Sequence, residues 1–158
     1  MTPQRPERAA QPPVRAWSDP LRWLVLPWTL AVTYPLILVS TALFGTLAVT
    51  LSLASKHLGF YAGVAWARSL AWGTWVRVRV AGREHLAPGQ SYVMLANHQG
   101  AHDILALYGF LGREFRWVMK EELRRVPFLG WACAAIGHIF VDRRSSARAI
   151  ASLEEAKP

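Results

Sequence analysis

Cysteine is almost absent from this sequence. Its 158 residues include one cysteine, Cys133, so no disulfide can form within the chain and the cysteine content does not indicate an oxidising compartment. Cys133 lies between two alanines in an apolar helical run. That setting is typical of a small core side chain. We therefore expect no nucleophilic role for the single thiol.

Charge is also scarce. Charged residues make up 18% of the chain, against about 25% in an ordinary soluble domain. No charged side chain occurs between Trp23 and Ser55. This stretch is much longer than the roughly 18 residues of a membrane-helix candidate, and longer still than the roughly 7–15 of a signal peptide. The sequence therefore predicts a membrane segment rather than a secretory signal.

The chain divides into four predicted segments. Residues 1–20 contain five prolines and several arginines, which predicts a disordered basic tail. Residues 21–56 form the apolar membrane segment. Residues 57–75 are rich in tryptophan and small residues, which favours an interfacial helix at the headgroup level over the alternative, an ordinary core helix with large residues. Residues 76–158 form the remaining domain.

The membrane segment has two possible arrangements. Pro27 and Pro35 are expected breaks, since each removes a helical hydrogen bond. One arrangement is a tilted span from about Tyr34 to Ala54 after a short interfacial piece. The other is a helical hairpin that dips into one leaflet. The sequence does not decide between them.

Strands and helices alternate after Trp75. Strands are predicted at 76–80, 91–96, 115–119 and 138–141, and helices from about Ile104 to Leu111, from Pro127 to Ile136 and from about Ser146. Gly112 and Gly137 are placed to end the first two helices, and Ser145 to cap the third. The alternation predicts an α/β fold with a largely parallel sheet flanked by helices. Sites in such sheets gather at the carboxyl ends of strands, where His98, Lys120 and Arg143 are expected.

The residues from Asn97 to Asp103 are the strongest candidate for chemistry. His98 ends a predicted strand and Asp103 begins a predicted helix, so the two can turn back and meet. A carboxylate fixes the tautomer of an imidazole and stabilises its protonated form, which makes the pair a general base. The alternative is that Asp103 caps the helix and His98 is an ordinary loop histidine.

Three short blocks of residues carry a resemblance to a known family. They are Asn97-His98-Gln99-Gly100-Ala101-His102-Asp103; Lys120-Glu121-Glu122-Leu123 followed by Pro127-Phe128-Leu129-Gly130; and Gly137, Phe140, Val141, Asp142 and Arg143. In order and spacing they resemble the membrane glycerolipid acyltransferases, especially bacterial 1-acylglycerol-3-phosphate acyltransferases. Gly100 stands where that family usually has serine. The family's next block, Pro-Glu-Gly-Thr-Arg, is absent, so the acyltransferase domain at 76–158 looks incomplete at its C-terminus.

The resemblance implies a specific reaction. His98 would act as general base on the free hydroxyl of lysophosphatidate, with Asp103 orienting it, and the product would be phosphatidate. Arg143 and Lys120 would bind the phosphate, because arginine offers bidentate contacts. Asn97, Gly137 and Phe140 complete the implied substrate site. No metal or cofactor is expected, and acyl-CoA or acyl carrier protein would be the co-substrate.

The resemblance also implies partners and a location. The partners would be a lysophospholipid, the acyl donor and the bilayer, and the location the bacterial inner membrane with the catalytic domain on the cytoplasmic face. The net charge of +8 is compatible with a phosphorylated substrate or an anionic membrane. The basic residues form no aromatic-interleaved patch outside the membrane-like region, so nucleic acid is not an expected partner.

Three alternatives remain open. The acceptor could be another lyso-lipid. The chain could be a non-catalytic lipid-binding relic, which predicts phospholipid binding without turnover. A metal-dependent hydrolase would use His98, His102 and Asp103 as ligands, but no further His/Cys cluster follows to complete such a site.

Overall fold

The computed structural model describes residues 21–97 and 100–155. Its helices are α1 (Leu21–Trp28), a π-helical segment (Thr29–Thr33), α2 (Tyr34–Ser52), α3 (Lys56–Gly73), α4 (Ala101–Phe110), α5 (Leu129–Ile136) and α6 (Ser146–Glu155), with short 3-10 helices at Arg83–His85 and Glu121–Arg125. The strands are β1 (Val118–Lys120) and β2 (Ile139–Val141). The predicted tail at 1–20 lies outside the described residues.

The apolar segment is helical through both prolines, so the predicted breaks are wrong. A π-helical turn precedes Pro35, in which the N–H of Tyr34 bonds to the carbonyl of Thr29. This wider turn lets the helix continue although Pro35 has no backbone N–H to donate. The helix from Val25 to Ser52 is long and apolar enough to cross a membrane. The chain does not turn back within it; the reversal comes at residues 53–55.

Helices α2 and α3 form an antiparallel hairpin. Ser55 caps α3 by accepting the N–H of His57, and the indole N–H of Trp66 donates to Thr41 Oγ1 over 3.1 Å. The two backbones approach closely at Gly59, where a Cβ would lie 3.0 Å from the carbonyl oxygen of Ala48. One side of the pair packs on the rest of the protein, while many large apolar side chains on the other side are exposed.

The hairpin ends at an unusual cap. The N–H of Val76 bonds to the carbonyl of Ala71, and that of Trp75 to Trp72, which is the Schellman pattern. The left-handed residue of this motif is usually glycine, but here it is Trp75 with φ of 60°. Its side chain is 86% exposed, so packing within the chain does not repay the backbone strain.

The predicted strands at 76–80 and 91–96 are wrong. Both stretches lack regular structure, and Val93 and Leu95 are 93% and 96% exposed. Neither the two-residue alternation at 76–80 nor the apolar run at 92–96 makes a strand unless a neighbouring strand supplies hydrogen bonds, and the described residues place none beside them. Side chains hold the region instead: Arg113 donates to the carbonyl of Leu86, and Tyr92 Oη accepts the N–H of Ala87.

The second half of the chain confirms the α/β prediction with a smaller sheet. β1 and β2 pair in parallel, with Val118 opposite Ile139 and Lys120 opposite Val141. The helix predicted from Pro127 starts at Leu129 and ends at left-handed Gly137 as expected. Ser145 caps α6 by accepting the N–H of Arg148. Phe60, Tyr108 and Phe115 meet edge-to-face at the centre of the core.

Candidate active site

An apolar cavity of about 390 Å³ lies between the helical hairpin and the α/β half. Small-molecule sites usually occupy about 300–1,000 Å³. Helices α2 to α5 and strand β1 all contribute to its wall. Its apolar lining includes Phe44, Ala48, Trp66, Ile104, Leu129 and Ile136. A wall of this kind suits a hydrocarbon chain.

Two cations line the same cavity, and both were singled out by the sequence. Lys120 is the last residue of β1, and Arg143 follows the end of β2 by two residues. The parallel register therefore brings both to the same edge of the sheet, as predicted. Within the described part of the chain, neither side chain has an ion pair or hydrogen bond. Their charges are available to an anionic ligand.

The neighbouring arginine is in the opposite situation. The guanidinium of Arg144 donates to both carboxylate oxygens of Asp142, from Nε to Oδ1 over 2.9 Å and from Nη2 to Oδ2 over 2.7 Å, and Nη1 of Arg148 lies 3.5 Å from Oδ2. The side-chain and backbone hydrogen bonds from Arg144 hold the pKa of Asp142 well below its usual value. The pair is therefore ionised throughout the physiological range, and Arg144 is committed to it.

Asp103 lies in the first turn of α4. Its Oδ2 accepts the N–H of Gly100 over 2.9 Å, so it does cap the helix, one of the two roles considered from the sequence. Its second predicted role, pairing with His98, stays a prediction because His98 lies outside the described residues. Asn97 is exposed at the edge of that gap, and His102 is exposed in the first turn of α4.

Gly137 and Phe140 are not among the described residues that line the cavity. Gly137 ends α5 with φ of 90°, a conformation that glycine adopts without strain. Phe140 is buried, and the guanidinium of Arg124 lies 4.7 Å from its ring centroid. Both positions are explained by the fold, and the substrate-binding role implied by the resemblance remains a prediction.

Sequence reasoning missed the polar pair inside the cavity wall. Tyr108 and His138 are each 6% exposed, both line the cavity, and Tyr108 Oη lies 3.3 Å from His138 Nε2. Burial, aided by the charge of Arg116, lowers the pKa of His138 to about 4. Burial also raises the pKa of Tyr108. The spacing of Ile104 and Tyr108 on one helical face indicated a buried position, but nothing local indicated the partner.

The thiol of Cys133 also lines the cavity. Burial raises its pKa to about 11, so the thiol is protonated at neutral pH and is a poor nucleophile. The described residues contain no group of three or more side chains suited to hold a metal. The metal-hydrolase alternative depends on His98, so its ligand set lies partly outside the described residues.

Comparison with known proteins decides the family. A family model described as Acyltransferase matches residues 77–158, just over half of the chain. The chain belongs to the acyltransferase family. The match covers Asp103, Lys120 and Arg143, whereas α2 and α3, which form the opposite wall of the cavity, precede it. The cavity is therefore shared between the family domain and the N-terminal hairpin.

Several relatives of this chain are named for one activity. The human 1-acyl-sn-glycerol-3-phosphate acyltransferase alpha is 36% identical over 80 residues, which is 51% of this chain and 28% of that protein. The enzyme named 1-acyl-sn-glycerol-3-phosphate acyltransferase in Saccharomyces cerevisiae is 40% identical over 78 residues, 49% of this chain and 25% of that protein.

The relative of the same name from Pseudomonas aeruginosa is 32% identical over 126 residues, 76% of this chain and 48% of that protein. The chain thus spans between about a quarter and a half of the length of these relatives. No solved structure matches the chain significantly.

Proposed function

We propose that the protein transfers a fatty acyl group from an acyl thioester to the free hydroxyl of lysophosphatidate, giving phosphatidate. One observation carries the proposal: Lys120 and Arg143, which have no ion-pair partner among the described residues, line an apolar cavity. The reactants of this transfer are a phosphate-bearing acceptor and acyl chains, so they match both the charge and the wall. The names of the relatives support the same reaction.

In the proposed step, the acceptor hydroxyl oxygen attacks the thioester carbonyl carbon while His98 takes the hydroxyl proton. The carbon–sulfur bond then breaks, and the departing thiolate receives the proton that His98 holds. Asp103, at the positive end of α4, stays ionised, fixes the tautomer of His98 and stabilises the imidazolium. No acyl-enzyme forms, and no metal or cofactor takes part beyond acyl-CoA or acyl carrier protein.

The proposed binding roles follow from charge. Arg143 binds the acceptor phosphate through its guanidinium fork, and Lys120 adds a second positive charge at the same edge of the sheet. Arg144 does not take part, because Asp142 holds it. The acyl chain occupies the apolar cavity between the hairpin and α4–α5.

The proposed location is the bilayer surface, on the cytoplasmic face of a bacterial inner membrane. One face of α2 exposes Leu38, Val39, Leu43 and Leu47, whereas the other lines the cavity with Thr41 and Phe44. A helix that spanned the bilayer in this packed state would draw Lys120 and Arg143 towards hydrocarbon, at a cost of several kcal/mol. The α2–α3 hairpin instead dips into one leaflet, which keeps the exposed face of α2 in lipid and the cations near water.

The test is acyl transfer from a labelled thioester to lysophosphatidate, using the protein expressed from its complete gene in membranes. His98→Ala should abolish transfer, and Asp103→Asn should reduce it strongly. His85→Ala is the matched control, because His85 is an exposed histidine beside Glu84 and should leave transfer unchanged.

The outcomes separate the candidate functions. Transfer that survives in His98→Ala contradicts the general-base assignment. Transfer to a different lyso-lipid, with lysophosphatidate inert, identifies another acceptor. Phospholipid binding without turnover on any lyso-lipid supports the non-catalytic relic. The 158-residue chain, assayed beside the product of the complete gene, reports whether any further sequence is needed for activity.

A further inference from the structure

The proposed mechanism does not use the buried polar pair in the cavity wall. Tyr108 and His138 lie side by side in the cavity wall, joined by the 3.3 Å contact between Oη and Nε2. Their surroundings are apolar and aromatic, with Phe60 and Phe115 packed edge-to-face on the tyrosine ring. Buried polar groups are normally hydrogen-bonded, so each donor and acceptor of this pair can be traced to its partner.

The hydrogen bonds fix which atom donates. His138 Nδ1 accepts the backbone N–H of Trp117 over 3.3 Å, so in the neutral ring the hydrogen is on Nε2. His138 is neutral at physiological pH because burial lowers its pKa. Nε2–H therefore donates to Tyr108 Oη, and the tyrosine must direct its own O–H elsewhere. Among the described residues, this hydroxyl makes no other hydrogen bond.

The position of this hydroxyl is set by a glycine on α3. A Cβ on Gly63 would lie 2.4 Å from Tyr108 Oη, so any larger residue would displace the hydroxyl. Gly63 and Tyr108 both line the cavity. A second hydroxyl, that of Thr41, also lines it, and its oxygen accepts from Trp66. The apolar cavity thus contains a fixed O–H donor without a protein acceptor among the described residues.

We propose that the Tyr108 hydroxyl donates a hydrogen bond to an oxygen on the acyl chain, so that the cavity selects acyl chains that carry a hydroxyl or keto group. The proposal rests on the acyl-transfer function proposed above. A plain hydrocarbon chain leaves the buried donor unpaired, which is unfavourable, whereas an oxygenated chain satisfies it. Thr41 provides a second polar contact in the same wall.

The experiment compares acyl thioesters of equal length, unsubstituted or hydroxylated at successive carbons, in proteoliposomes of phosphatidylcholine and phosphatidylglycerol. The quantity measured is the ratio of kcat/KM for the hydroxylated and the plain chain. The wild type should prefer one hydroxylated position by about two- to tenfold, as expected for one net hydrogen bond. Tyr108→Phe should bring the ratio close to one.

The ratio of the two kcat/KM values does not depend on how much of the protein is folded, because both substrates are assayed with the same preparation. Tyr108→Phe removes the acceptor of His138 Nε2–H and will lower stability, but a merely structural role lowers both rates equally. Tyr61→Phe is the matched control, because Tyr61 is 52% exposed on α3 and should keep the wild-type ratio. Gly63→Ala should reduce the preference by displacing the hydroxyl.

A second readout does not depend on turnover. Free fatty acids with and without the hydroxyl should displace a fluorescent fatty acid from the wild type with the same preference. Equal binding and equal kcat/KM for all chains in the wild type, or a preference that survives Tyr108→Phe, would overturn the inference. A binding preference without any transfer would support the inference and contradict the proposed function.

Discussion

Arg143 and Arg144 are adjacent in the sequence and differ completely in their surroundings. Arg144 is held by Asp142 through a bidentate ion pair. Arg143 lines the apolar cavity and has no ion-pair partner within the described ranges. Without the family resemblance, the two would be expected to form one solvated basic end of a strand. The structure shows that one neutralises a carboxylate and the other is available to a ligand.

This difference shows how the site keeps the positive charge of Arg143 available to a phosphate. A carboxylate next to a phosphate-binding arginine would compete with the substrate for it. Here Asp142 is occupied by Arg144 and approached by Arg148, so its negative charge is neutralised before a substrate arrives. The ion pair beside the cavity therefore protects the availability of Arg143.

The largest expected effect distinguishes the two arginines directly. Arg143→Gln should lower kcat/KM for lysophosphatidate by about 10- to 100-fold, since it removes charged hydrogen bonds worth about 1.5–3 kcal/mol. Arg144→Gln should change kcat/KM much less. Steady-state transfer rates of the two variants test this, and equal losses would refute the distinction between the two arginines.

Lys120→Gln should have a smaller effect than Arg143→Gln. A lysine is a point charge without the bidentate geometry of a guanidinium, so we expect a loss of roughly three- to tenfold in kcat/KM. The loss should appear mainly as a higher KM for lysophosphatidate and should diminish at high salt. Lys56→Gln, at the start of α3, is the control.

Asp142→Asn should remove the difference between the two arginines, because Arg144 loses its ion-pair partner. We expect lower thermal stability and an acceptor KM that now depends on Arg144 as well. Because the pKa of Asp142 is depressed in the folded protein, its stabilising effect is present above the ordinary aspartate pKa near 4 and is lost as the pH falls further. Unfolding of the variant should therefore show a flatter pH dependence below pH 4.

The neutral pair of Tyr108 and His138 should affect the pH dependence of stability in a different pH range from the ion pair of Asp142 and Arg144. His138 has a folded pKa of about 4 and an unfolded one of about 6.5, so between these values the unfolded chain binds more protons. The free energy of unfolding should fall as the pH drops from 7 to 4. His138→Phe should reduce that slope in detergent-solubilised protein, and an unchanged slope would contradict the assigned burial.

Local signals explain which parts of the fold were predictable. Gly137 and Ser145 mark a helix end and a helix start through their own backbone geometry, and both predictions are confirmed. The strands predicted at 76–80 and 91–96 are wrong because neither the alternation in the first nor the apolar run in the second specifies a partner strand. Pro35 failed as a break because a π-helical turn absorbs it.

Long-range contacts explain what the sequence left open at the site. Lys120 and Arg143 were predictable, because the ends of parallel strands share an edge. The cavity was not, since its wall combines Thr41 and Gly63 with residues of the family domain. The tautomer of His138 depends on Trp117, and its partner is Tyr108, 30 residues away. No local pattern encodes that pairing.

Arg143 is proposed to bind the acceptor phosphate in the cavity where acyl transfer takes place. The most direct measurement compares transfer to lysophosphatidate with transfer to the monoacylglycerol of the same chain, in wild type, Arg143→Gln and Arg144→Gln. We predict a strong wild-type preference for lysophosphatidate that is lost in Arg143→Gln and kept in Arg144→Gln. A preference that survives in Arg143→Gln would contradict the account.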